Sequence, residues 1–167
     1  MRVTPAGTPH VRLEVADHVA LLTLDRPDVR NAITPGIIGE IATLVTACEA
    51  REDVRAMVLT GADPAFCAGV DLKALGDEAR DAPTGPDAYA TRFRAFPPHR
   101  KPIIGAVNGA AVTGGLELAL GCDFLIASER ARFADTHGRV GVMPGMGMTV
   151  RLPQLIDPAA ALDLMLT

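Results

Sequence analysis

The stretch "AAVTGGLELALGCD", residues 110–123, sets one carboxylate, Glu117, in an otherwise apolar run directly after a glycine pair. A charged carboxyl group is almost never fully buried without a partner, because stripping its water costs on the order of several kcal/mol. Glu117 is therefore either tied to a partner or placed there for chemistry. Two glycine-containing turns add a second feature: "AFCAGVDLK" (65–73) and "VNGAAVTGGLELA" (107–119) each join a buried strand to a helix through small residues. Small side chains at a helix start let a ligand approach the backbone, whose free N–H groups and dipole favour developing negative charge. Such a pair could form an oxyanion hole; tight helix packing is the other explanation, and composition alone leaves both open. A phosphate loop does not fit. There is no GxxxxGK[ST] and no GxGxxG opening a helix in a βαβ unit, and "GMGMTV" near residue 147 is only a fragment of such a pattern.

The surrounding pattern supplies the elements that must hold these groups. "VRLEV" and "VALLTL", separated by "ADH", read as a β-hairpin, and "DRPDVRNAIT" as a loop. Thr34 followed by Pro35 marks a helix start, with Ile37, Ile41, Leu44, Val45 and Cys48 recurring on one face. "AMVLTG" is apolar enough for a parallel strand buried on both faces. A short helix near Asp71, a Pro/Gly/Asp loop over 76–87 and a helix around "AYATRFRAF" follow. "PIIGAVNG" and "DFLIAS" are strands flanking the helix "GGLELALG", and the tail reads as two helices divided at Asp157 and Pro158. Regular alternation of strand and helix makes the fold α/β with right-handed crossovers.

Composition limits the rest. At 167 residues one domain is expected, and a net charge of -4 without a Lys/Arg cluster leaves no footprint for a nucleic-acid backbone. Apolar runs end well short of the ~18 residues that a membrane span needs, and the N-terminal "MRVTPAGTPHVRLEV" lacks a signal core, so a cytoplasmic protein is expected. Cys48, Cys67 and Cys122 show no ligand spacing; they read as reduced thiols, with no metal site.

The motifs "AFCAGVDL", "KPIIGAVNGAAVTGGLELALGCDFLIASERARFA" and "VGVMPGMGMTVRLPQ" resemble the successive signatures of the enoyl-CoA hydratase/isomerase (crotonase) superfamily, from about residue 10 onward. The resemblance implies a crotonase-like ββα superhelix of short strands and helices: one acyl-CoA-binding domain over 1–167, with a core over 10–156. Residues 157–167 would begin a C-terminal helical region most of which this chain does not contain. The resemblance further implies an acyl-CoA substrate, no cofactor beyond the coenzyme A it carries, and a homotrimer or hexamer. Matched residue by residue, Val70 and Gly114 supply the oxyanion-hole N–H groups, and Glu117 takes the place of the glutamate that activates water. Val29, Ala68, Asp71 and Leu72 would line the coenzyme A site, with Arg26, Lys73 and Lys101 as candidates to meet its phosphates.

One position departs from the hydratase pattern. In "FADTHGRVG" the second glutamate of the family's hydratases is replaced by His137. The resemblance then implies an enoyl-CoA hydratase-like enzyme in which Glu117 and His137 share the water. Double-bond isomerisation and a catalytically silent acyl-CoA-binding protein are the alternatives.

Overall fold

The computed structural model describes residues 10–74 and 95–166. The chain opens with an antiparallel hairpin, β1 (Val11–Ala16) and β2 (Val19–Leu24), paired from Val11 opposite Leu24 to Ala16 opposite Val19. The turn is two residues, Asp17 and His18, both at positive φ (49° and 65°), the twist that a two-residue hairpin requires. A short 3-10 turn (Pro27–Val29) leads to α1 (Pro35–Ala50), where the Thr34 hydroxyl accepts from the Ile37 N–H as the predicted cap. All five residues expected on its inner face are buried.

The strands β3 (Ala56–Gly61), β5 (Ile103–Val107) and β7 (Phe124–Ala127) then add in parallel, giving a five-stranded sheet in the order β1-β2-β3-β5-β7. Three parallel three-residue strands, β4 (Ala65–Cys67), β6 (Ala110–Val112) and β8 (Arg132–Ala134), form a second sheet in the order β4-β6-β8. The helix α2 (Gly114–Gly121) leaves the end of β6 and is buried along its whole length. A four-residue helix α3 (His137–Val140), then α4 (Met148–Leu155) and α5 (Pro158–Leu166) follow. Asp157 caps α5 by accepting from the Ala159 N–H at 2.9 Å.

One expectation needs correction. β3 alternates, with Met57, Leu59 and Gly61 buried and Ala56, Val58 and Thr60 only half-buried, so its second face is covered in part. In "DTHGRVG" residues 137–140 close one helical turn ended by Gly141 at φ 73°. Near Asp71 residues 72–74 are helical, as expected; the loop over 76–87 and residues 88–94 of the helix expected next lie outside the described residues, and Ala95 and Phe96 are in a bend. Among the described residues no helix is long and apolar enough to cross a membrane.

Candidate functional site

Two strand-to-helix turns meet beside the second sheet. After β4 the chain passes through Gly69 at φ 96°, a conformation glycine takes without a Cβ penalty. A side chain there would lie 2.9 Å from the Val112 carbonyl and 3.3 Å from the Gly114 nitrogen, so the two turns are in contact. Val70 forms a parallel bridge with Ile33 in which the Ile33 N–H donates to the Gly69 carbonyl and the Asp71 N–H to the Ile33 carbonyl. That pattern uses the residues on either side of Val70 and turns its own N–H away from the bridge. Gly114 opens α2, where the first N–H groups have no intrahelical partner. A Cβ on Gly114 would sit 3.2 Å from Val70 Cγ2 and 3.5 Å from Met146 Cε.

Glu117 lies one turn into α2 and is 2% exposed. Its Oε1 accepts from the N–H groups of Met146 (2.7 Å) and Met148 (3.1 Å), and its Oε2 from Gly145 (3.3 Å). Met148 is the first residue of α4, whose cap position is Gly147, a residue with no side chain to cap it; the Glu117 carboxylate fills that role. Three backbone donors at a helix N-terminus offset the water lost on burial. His137, 4% exposed, brings its Nε2 to 3.5 Å from Glu117 Oε2. Its Nδ1 lies 2.5 Å from Asp135 Oδ1, and the same oxygen accepts the His137 backbone N–H at 2.9 Å. Asp135 is itself buried.

A hydroxyl pair joins the residue before α2 to the residue before α3. Thr113 Oγ1 lies 2.5 Å from Thr136 Oγ1 and accepts from the Thr136 N–H at 3.3 Å. Thr113 has φ 54° and ψ -117°, which is strained for a β-branched residue and costs on the order of 1–3 kcal/mol. The residue before Gly114 is thus bonded to the residue before His137.

Val70, Gly114, Glu117 and His137 are therefore brought together from three separated stretches of chain, Gly114 and Glu117 sharing α2. The residues expected along a coenzyme A site are close to one another as well. The Ala68 N–H donates to the Arg30 carbonyl at 3.0 Å, Val29 is 41% exposed and Leu72 52% exposed. The cations expected there differ in availability. Arg26 donates to the Ala32 carbonyl (2.7 Å) and to Asp71 Oδ2 (3.2 Å), and Lys101 donates through Nζ to the Cys48 and Arg51 carbonyls at the end of α1. Both serve the fold; Lys73 is exposed. Burial would raise the Asp71 carboxyl, but the Ala74 N–H, the Arg26 guanidinium and the Lys73 N–H together hold it below its ordinary value.

A family model described as enoyl-CoA hydratase/isomerase matches residues 14–167. The chain belongs to the enoyl-CoA hydratase/isomerase family. As such it is similar to the probable peroxisomal enoyl-CoA hydratase 1 of Arabidopsis thaliana, 37% identical over 153 residues, which cover 89% of this chain and 56% of that protein. It is also similar to the (E)-benzylidenesuccinyl-CoA hydratase of Thauera aromatica, 39% identical over 164 residues, which cover 94% of this chain and 62% of the relative. Its fold matches the crystal structure of the enoyl-CoA hydratase of Mycobacterium tuberculosis H37Rv with a TM-score of 0.82 at 46% identity, over 94% of this chain and 64% of that one. This member of the family thus spans between about half and two thirds of the length of the relatives it matches.

Sequence reasoning missed Asp135, the Thr113–Thr136 pair and the turn over 145–148 that holds Glu117. "DTH" carries a faint signal, since an aspartate two residues before a histidine can accept its ring N–H once a turn folds between them. Nothing in "MPGMGM" announces that its backbone would meet a carboxylate 28 residues earlier in the chain.

Proposed function

We propose that the protein adds water across the double bond of an enoyl-CoA thioester, with Glu117 and His137 as the acid–base pair. The observation that carries this reading is the buried approach of Glu117 Oε2 and His137 Nε2 beside the turn of Val70 and Gly114. The pair takes a proton from water as the water oxygen bonds to the β-carbon, and the electrons of the double bond move onto the thioester oxygen. The Val70 and Gly114 N–H groups receive that enolate oxygen; donors fixed before charge develops are worth about 3–4 kcal/mol each. The pair then returns a proton to the α-carbon, so atoms and charge balance. The coenzyme A moiety is part of the substrate, and Val29, Ala68, Asp71 and Leu72 line its path, with Lys73 the exposed cation of the three considered. Assembly belongs to the same reading: Phe124, Ile126, Leu155, Leu162 and Leu166 are each more than half exposed, an apolar face suited to another copy in a homotrimer or hexamer.

A second reading, acyl-CoA binding without turnover, is favoured by the three N–H groups on Glu117, which give the carboxylate a structural duty whether or not it reacts. Mixing the protein with enoyl-CoA thioesters of several chain lengths and following the conjugated-thioester absorbance separates the two. Loss of absorbance supports hydration; tight binding with no loss supports the silent protein.

A further inference from the structure

We infer that Asp135 is a positioning residue that holds His137 in the tautomer protonated at Nδ1, leaving Nε2 as the working nitrogen toward Glu117. The inference rests on the reading of His137 as one member of the acid–base pair.

Asp135 Oδ1 meets both the ring Nδ1 and the backbone N–H of His137, at 2.5 and 2.9 Å. An oxygen already receiving one N–H is an acceptor, so the ring proton belongs on Nδ1 and Nε2 is left for exchange. Neither side chain has room to choose otherwise, since Asp135 and His137 are 3% and 5% exposed at their side chains. Thr136, the residue between them, is tied by hydroxyl and N–H to Thr113, which fixes the turn against the start of α2. This is the logic by which a buried carboxylate orients a catalytic imidazole, reached here within three consecutive residues.

The spacing on the other side of the ring agrees. At 3.5 Å, Nε2 and Glu117 Oε2 are too far apart for a good hydrogen bond to one another. One water oxygen at about 2.8 Å from each would lie off the line between them and touch both. Asp135, His137 and Glu117 then form one line along which a proton taken from that water can be held and returned.

The test is long-range 1H–15N correlation of the imidazole rings in protein labelled with 15N-histidine, with the His137 signals assigned by their loss in His137→Gln among the four histidines of the chain. The wild type should show His137 protonated at Nδ1, and in Asp135→Ala the ring should relax toward the tautomer mixture of a free imidazole. Asp135→Asn keeps an amide oxygen that can accept both N–H groups and should hold the ring in the wild-type tautomer, the rescue expected of a conservative variant. Enoyl-CoA turnover should fall by ~10²-fold or more in folded Asp135→Ala, with KM changed little. A wild-type ring protonated only at Nε2, or a folded Asp135→Ala with the wild-type tautomer, overturns the inference whatever the activity. If the tautomer responds as stated and the wild type hydrates nothing, the positioning stands and the hydratase reading falls.

Discussion

Replacing Glu117 by Gln leaves an amide oxygen that can still accept from the Met146 and Met148 N–H groups, while an NH2 group replaces the oxygen that receives Gly145. That loss is one long hydrogen bond, about 1 kcal/mol. Glu117→Ala removes every acceptor and strands buried donors, so its loss of stability should clearly exceed that of Gln, an ordering that thermal unfolding of the two variants checks. The presence of a lone carboxylate in an apolar helix was legible in "GGLELALG". Its partners were not, because they come from a turn 28 to 31 residues later whose sequence has no polar side chain to advertise it.

At the scale of elements, α2 is pressed against β4 and β6 so closely that its two adjacent glycines do different work. A Cβ on Gly115 would stand 2.1 Å from the Cys67 carbonyl oxygen, which is backbone and cannot swing aside. One on Gly114 meets only the ends of the Val70, Ile33 and Met146 side chains, at 3.2 to 3.5 Å. Gly115→Ala should therefore lower the melting temperature sharply, at a cost of roughly 1–3 kcal/mol or more. Gly114→Ala should fold nearly as well as the wild type while losing acyl-CoA affinity, which calorimetric titration with a saturated acyl-CoA measures. The hairpin, α1 and the longer strands were readable because each repeats its period several times. The second sheet was not: three residues carry no period, and β4 pairs with β6 some 45 residues away. The superhelical arrangement of the elements entered through the family resemblance, and alternation alone reached only α/β.

For the whole molecule, the three cysteines test how completely the core is closed. All three are buried, and burial pushes the Cys67 and Cys122 thiols up to about 12, with Cys48 raised for the same reason. A raised value keeps the thiol protonated and unreactive at neutral and mildly alkaline pH. At pH 8 a disulfide reagent should label none of them in the native protein and all three after unfolding. The outer surface leads to the opposite expectation. β7 exposes Phe124 and Ile126, and α5 exposes Leu162 and Leu166, so light scattering at micromolar concentration should return a mass above that of the 17.5 kDa monomer. A clean monomer would count against assembly.

The claim on which the rest depends is that Glu117 reacts as well as caps. The decisive measurement is enoyl-CoA turnover by Glu117→Gln, at substrate saturation and beside a binding titration with a saturated acyl-CoA. The predicted result is a fall in kcat of at least ~10²-fold with acyl-CoA affinity nearly unchanged, as for removal of a positioned acid or base. Turnover at the wild-type rate would contradict it and leave Glu117 as the cap of α4 alone.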